Sequence, residues 1–385
     1  MRILQVIPAL SRGGAEAVVI DLSNSLAQNG HAVTVLLAHP VSDAESRAGS
    51  LRFGIDLKYL SDSQEKRFGL YRSLIFFIFG KRKFINQFDV VHCHLSFGQF
   101  FGIIWKITTI LNLRRGPRFI YTCHNVGANS PKWKDPFDQF STRFFDAFVL
   151  MAQNRLWRDF TSSHKKSNIF LIENGISMSI NTNRDRSEKM NRRVLTIGTI
   201  SRLQSERKPW RFLEVFAALN KISESEFQFV IGGDGPLRSS LEAQAMALGL
   251  GPKITFRGMI LDSVSFIDSL DVYLSLNVRS TTGIAGLEAV FTAVPVVAIQ
   301  ALPNYKYGNF DWIWSDPDPE AVAAEIFRLS NSPEEVEHVV THQQQVVAER
   351  FTSEIMTLRY QNIYSSPLSS GNICATYEIH LVDPC

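Results

Sequence analysis

The 385-residue chain predicts an α/β protein built as two halves, each an open parallel sheet wrapped by helices. Three observations carry that prediction. Short apolar runs alternate with segments of helical period, the pattern of β-α-β units in a parallel sheet. The alternation breaks at "SMSINTNRDRSEKMNR" (177–192), a polar stretch without hydrophobic period, and then restarts. Several strand-to-helix junctions hold glycine, which lets a backbone or a ligand approach closely.

The elements follow in order. "MRILQVI" is a first buried strand, and Gly13-Gly14 marks the turn out of it. Ala15, Val18, Val19, Leu22 and Leu26 then recur at helical spacing, Gly30 stops the helix, and "HAVTVLL" is the second strand. "FDVVHCH" (88–94) and "RFIYTCH" (118–124) are further strands, so residues 1–176 form a first Rossmann-like domain. Residues 177–192 are the linker, and 193–350 form a second such domain. In it "RVLTIGTI" is a strand, a helix starts at Pro209, and "FQFVIGG" is a strand. A helix follows from Pro236 to about Leu248. Proline suits a first helical turn, where its missing N–H is not needed. "ITFRG" and "DVYLSLN" are strands, a helix starts near Gly283, and "PVVAI" is the final strand. Residues 351–366 are a C-terminal helix expected to pack back toward the first domain. The tail 367–385 carries no readable pattern. The two domains are expected to face each other across a cleft, the place for a ligand.

Composition narrows the function classes. Net charge is +3, but residues 1–190 hold 25 Lys and Arg against 15 Asp and Glu, or +10, leaving −7 for the remainder. A basic half suggests something anionic on that side. It shows no aromatic-interleaved basic platform, which argues against nucleic acid. Four cysteines (Cys93, Cys123, Cys374, Cys385) have no CxxC spacing and read as reduced thiols of a cytoplasmic protein. The start lacks a signal-peptide cleavage pattern. "LSFGQFFGIIWKITTILNL" (95–113) is long enough to span a membrane, but Gln99 and Lys106 interrupt it, so it reads as a buried helix.

Candidate chemistry sits at the junctions. Gly13-Gly14 opens a helix whose bare amides and dipole favour a phosphate, although a tight turn explains the pair as well. The spacing is not that of the dinucleotide fingerprint. "TISRLQSERKP" places Arg202, Arg207 and Lys208 on a loop entering a helix, where guanidinium and ammonium groups suit a diphosphate. A solvated charged loop is the alternative. "IGGDGP" puts Gly233 in a turn at the carboxyl end of a strand. In "RSTTGIAGLEAVFTAVPVVA" (279–298), the hydroxyls of Ser280, Thr281 and Thr282 precede a helix opened by Gly283, Ile284 and Ala285. Glu288 lies among apolar neighbours, where a carboxylate is costly unless hydrogen-bonded; a sugar diol would do that. The alternative is a Glu on a solvated face.

These pieces together resemble the family 4 retaining glycosyltransferases, also called glycosyl transferases group 1, of GT-B architecture. The matching segments are "GGAE", "VHCHLS", "TCHN", "ENGI", "SRLQSERKP", "GGDGPLR" and "GLEAVFTAVPVVA", in family order over about residues 1–365. The resemblance implies a metal-independent transfer of a sugar from a UDP- or GDP-linked donor, with no cofactor beyond that co-substrate. Gly13 and Gly14 would approach the donor diphosphate, and Arg202 with Arg207 or Lys208 would hold it. Glu288 would bind the ribose hydroxyls, and His124 would lie beside the transferred sugar. Gly233 and residues 280–285 would complete the donor contacts. The implied acceptor is a saccharide, lipid-linked in surface polysaccharide assembly. Lys81-Arg82-Lys83 and Arg114-Arg115, each after an apolar run, would let the protein touch the inner face of the cell membrane. Ordinary core helices ending in favourable charges explain them equally well.

Two departures from the family pattern stand out. Ser280 occupies the position where the family carries a second glutamate, and "TTG" replaces a Gly and an aromatic before the last Gly. They leave room for a non-catalytic nucleotide-sugar-binding relative, or for an epimerase or hydrolase on the same fold. Two lookalikes are weaker. His92 and His94 share a strand face but have no partner ligands to complete a metal site, and "DPD" (316–318) only mimics the metal-binding motif of another fold.

Overall fold

The structure is a computed structural model. It describes residues 1–11, 13–40, 46–60, 78, 80–110, 116–124, 134–151, 168–177, 194–223, 227–277, 283–300, 313–315 and 318–366. The chain divides into two compact units, Met1–Ser177 with Ser353–Cys385, and Met178–Thr352.

The first unit runs β1 (Arg2–Ile7), α1 (Gly14–Gln28), β2 (Ala32–Leu37), β3 (Asp56–Tyr59), α2 (Arg82–Ile85), β4 (Val90–His94) and α3 (Leu95–Ile110). It continues through β5 (Arg118–Cys123), α4 (Lys134–Ser141), β6 (Ala147–Leu150) and β7 (Ile169–Leu171). Its seven strands are ordered β3-β2-β1-β4-β5-β6-β7, and every pairing is parallel. β4, β5 and β6 are buried along nearly their whole length, as strands covered on both faces must be. The order reverses between β1 and β4, and ligands of open α/β sheets bind at the carboxyl ends of strands at such a reversal.

The second unit runs β8 (Leu195–Ile200), α5 (Trp210–Ile222), β9 (Phe227–Gly232), α6 (Arg238–Ala247), β10 (Ile254–Gly258), α7 (Ser263–Asp268) and β11 (Val272–Asn277). Then come α8 (Ile284–Phe291), β12 (Val296–Gln300), β13 (Ile313–Ser315), α9 (Pro319–Ser330) and α10 (Pro333–Arg350). The sheet order β10-β9-β8-β11-β12-β13 reverses between β8 and β11, again all parallel. β13 follows the strand expected to be last; at three residues it is too short to show a period in sequence. α6 begins at Arg238 rather than Pro236, because Pro236 and Leu237 form a turn first.

Helix α11 (Ser353–Ser365) belongs to the first unit. Ser353 N–H donates to the Ile176 carbonyl, Arg359 pairs with Glu173, and Gln361 meets Asn29 and His31. Its Tyr360 and Tyr364 are buried against His92.

Helix α3 shows why a long apolar segment stays inside the protein. The buried amide of Gln99 donates to Asp138 and to Ser141, and Lys106 reaches Asp146. Polar groups that would be costly in lipid are thus satisfied by neighbours. Among the described residues no helix is long and apolar enough to cross a membrane. "DPD" also finds a structural use, since the Asp318 side chain caps α9 by accepting from Ala321 N–H.

Candidate functional site

In the second unit the candidate residues gather at the carboxyl ends of β8 and β11, where the strand order reverses. The loop after β8 carries Arg202, a short turn Ser205–Arg207, and Lys208 before Pro209 and α5. Arg202 and Lys208 are exposed and Arg207 is half-buried. Lys208 takes the left-handed conformation, φ 49° and ψ 50°, a strained state for a residue with a side chain.

Glu288 stands in the second turn of α8, half-buried, while Leu287, Ala289 and Val290 around it are buried. Gly283, Ile284 and Ala285 form the exposed to half-buried amino end of that helix, with no side-chain cap. Ser280, Thr281 and Thr282 lie outside the described residues.

A residue the sequence did not single out joins these loops. The ring of Tyr273, on β11, is buried, and its hydroxyl lies 3.4 Å from Ile200 N at the end of β8. Burial pushes its acidity down, to a pKa of about 12. The charges of Glu288 and Arg207 both reach the hydroxyl, one raising and the other lowering that value. The signal available in sequence was a tyrosine near the start of an apolar strand, where a buried hydroxyl needs a partner.

The glycine turn after β9 has a backbone explanation. Gly233 has φ +113°, and a Cβ there would lie 2.0 Å from the Ser201 carbonyl oxygen. A Cβ on Gly235 would lie 2.5 Å from that of Leu203. Ser201 N–H donates to Gly232 O and Leu203 N–H to Asp234 O, so this turn braces the loop that carries Arg202. Asp234 and Arg238 of "GGDGPLR" are engaged with each other, and Arg238 also binds Glu242 and the Phe256 carbonyl.

In the first unit Gly13 caps α1 in extended conformation and Gly14 begins it. The Glu16 carboxylate folds back over this end, accepting from Ser11 Oγ at 2.9 Å, and a Cβ on Gly13 would collide with it. The positive end of α1 is thus met by a carboxylate from its own first turn.

His124 follows β5 directly and is partly exposed. Its Nε2 is 2.9 Å from His94 Nδ1, and His94 Nε2 is 2.8 Å from Gln5 Oε1. His92 sits beside His94, between the hydroxyls of Tyr364 and Thr122 at 2.8 and 2.7 Å, and Thr122 also meets Tyr360. Burial holds all three imidazoles below the usual histidine range, His124 at about 3. His94 and His124 are hydrogen-bonded to each other, while His92 bonds only to hydroxyls. Among the described residues no cluster of three or more His, Cys, Asp or Glu is arranged for a metal ion.

Two parallel α/β units, each with polar residues collected where its strand order reverses, define the GT-B class of transferases. The Glycosyltransferase Family 4 model matches residues 12–179 and the Glycosyl transferases group 1 model matches residues 192–332, so the chain belongs to glycosyltransferase family 4, the retaining, nucleotide-sugar-dependent enzymes. A Campylobacter jejuni relative is 28% identical over 268 residues, 68% of each chain. It is the GalNAc-α-(1→4)-GalNAc-α-(1→3)-diNAcBac-PP-undecaprenol α-1,4-N-acetyl-D-galactosaminyltransferase. The 2-deoxystreptamine N-acetyl-D-glucosaminyltransferase of Niallia circulans is 22% identical over 73% of this chain and 77% of its own. The fold matches the crystal structure of Anabaena HepE in complex with UDP and glucose, with a TM-score of 0.73 at 15% identity, over 95% of this chain and 100% of that one.

Proposed function

We propose that this glycosyltransferase moves a sugar, with retention and without a metal ion, from a UDP- or GDP-linked donor to a hydroxyl of a lipid-linked saccharide in surface polysaccharide assembly. The observation that carries the donor side is the placement of Arg202, Arg207 and Lys208 after β8 and of Glu288 in α8 after β11, the two strands between which the sheet order of the second unit reverses. Glu288 accepts hydrogen bonds from the ribose diol. Arg202, Arg207 and Lys208 hold the diphosphate and stabilise the charge that develops on it as the sugar leaves. Gly13, Gly14, Gly233 and residues 280–285 contribute backbone and hydroxyl contacts to the donor, and His124 lies beside the transferred sugar.

In the reaction the bond from the anomeric carbon to the diphosphate oxygen breaks. The acceptor oxygen bonds to that carbon on the same face, and the acceptor proton passes to the leaving diphosphate. No carboxylate nucleophile is invoked. The acceptor reading is supported by the +10 charge of residues 1–190 and by Lys81-Arg82-Lys83, which suit a lipid diphosphate at an anionic membrane surface. It is supported as well by the undecaprenol-linked substrate in the Campylobacter relative's name.

A thermal-shift series with UDP, GDP, ADP and their common sugars, with and without EDTA, tests the donor site. One nucleotide class should raise the melting temperature equally in EDTA, and Glu288→Ala should abolish the rise. No shift near millimolar nucleotide, or a shift lost in EDTA, would contradict the reading.

A further inference from the structure

The hydrogen bonds of His124 fix more than its position. Gln5 is buried, and its amide nitrogen has no hydrogen-bond partner among the described residues. Its carbonyl oxygen faces His94 Nε2 at 2.8 Å. A carbonyl oxygen only accepts, so His94 carries its proton on Nε2. A neutral imidazole has one N–H, so His94 Nδ1 is then an acceptor. The 2.9 Å contact with His124 Nε2 therefore needs the proton on that nitrogen of His124.

What remains is His124 Nδ1, a lone pair shielded from solvent and without a partner among the described residues. An unpaired buried acceptor is costly and calls for a ligand donor. The backbone adds to the case. Leu95 adopts φ 58° at the first position of α3, so His94 is the last residue of β4, at the carboxyl end of the strand.

We propose that His94, held by Gln5, is a positioning residue that sets the tautomer of His124, so that Nδ1 of His124 accepts a hydrogen bond from a hydroxyl of the transferred sugar. This rests on the preceding assignment of His124 to the sugar. It gives the first unit a means of rejecting donors that lack that hydroxyl, since the acceptor would then stay unpaired. His94 and Gln5 do not touch the sugar; they act through His124.

Long-range 1H–15N spectra of the full chain, labelled with 15N-histidine, read the tautomer directly, with His124 identified by signal loss in His124→Asn. The Nε2–H form is expected in the wild type. It should persist in His94→Asn, whose amide oxygen replaces the acceptor, and be lost in His94→Leu, which has the same size and no acceptor. Should the His94 variants not fold, Gln5→Met removes the next acceptor and should also mix the tautomers of His124. An Nδ1–H form in the wild type, or a tautomer indifferent to both Leu and Met, overturns the assignment.

Calorimetry with UDP-glucose against UDP, and GDP-mannose against GDP, reads the consequence. The extra affinity brought by the sugar should fall roughly ten-fold in His94→Leu, the size of one lost hydrogen bond, and recover in His94→Asn. Affinity for the bare nucleotide should not change. Equal sugar affinity in the Asn and Leu variants overturns the acceptor role. Absence of any nucleotide binding to the wild type overturns the donor reading and the sugar as partner of Nδ1, while the tautomer spectra still decide what His94 does.

Discussion

Lys208 holds a left-handed backbone conformation although it is not glycine, at a cost of about 1–2 kcal/mol. Its strain lies on the loop that brings Arg202 and Arg207 to the end of β8, where cations are wanted. The substitution Lys208→Gly separates the two properties. The glycine variant should be about 1 kcal/mol more stable in the second unit, seen as a raised melting temperature. It should bind the donor nucleotide roughly ten-fold more weakly, because a charged contact to the diphosphate is gone. A variant that is more stable and binds equally well would remove Lys208 from the diphosphate contacts. Glu288 shows the opposite economy of residues. Its helix buries its neighbours while Glu288 itself stays half-buried, the position in which we propose that it receives the ribose diol.

At the scale of elements, the turn after β9 and the loop after β8 are one construction. Gly233 and Gly235 bring the backbone against Ser201 and Leu203 so closely that no side chain fits. Gly233→Ala should therefore destabilise the second unit by about 2–4 kcal/mol, through both the positive φ and the clash. Denaturant unfolding followed by circular dichroism would report it; an unchanged midpoint would show that the loop yields freely. The motif "GGDGPLR" was legible in sequence as a glycine turn at a strand end. Which partner it serves was not legible, since the Ser201 carbonyl becomes its neighbour only when β8 and β9 pair in register. Strands β3, β6, β7 and β13 escaped the sequence reading for a simpler reason. At three or four residues each they are too short to express a period, and the sheet supplies their stability. Helix α3 was legible because sixteen residues of apolar pattern with one internal amide leave few alternatives.

At the scale of the whole molecule, His92, His94 and the partly exposed His124 give the first unit a pH dependence. His92, His94 and His124 are neutral in the folded protein, and the unfolded chain protonates them below about pH 6.5. The unfolded state thus binds more protons as pH falls. Stability is full above that value and is lost progressively toward pH 3, the folded value of His124. Asp21 in α1, which accepts from Ser177 N–H, works in the other direction. Burial pushes its carboxyl up to about 6, so it adds stability as pH falls from there toward its ordinary 3.8. Three imidazoles outweigh one carboxyl, each contributing up to about 1.4 kcal/mol per pH unit. Unfolding free energy should fall between pH 7 and pH 5, and His94→Asn should flatten the slope by roughly a third. A profile that rises on acidification would show that Asp21 or another carboxyl governs this unit.

Sequence by itself determined the alternation of the longer strands and helices, the glycine junctions and the family, because all of these are written in local spacing. Tertiary structure alone decided which distant groups became partners. The Tyr273 hydroxyl meets the Ile200 amide at the end of β8, Gln5 meets His94 and His94 meets His124, and helix α11 places Tyr360 and Tyr364 against His92. Hydrogen bonds and buried charges act over a few ångströms. Only strand register and helix packing bring residues far apart in sequence within that range.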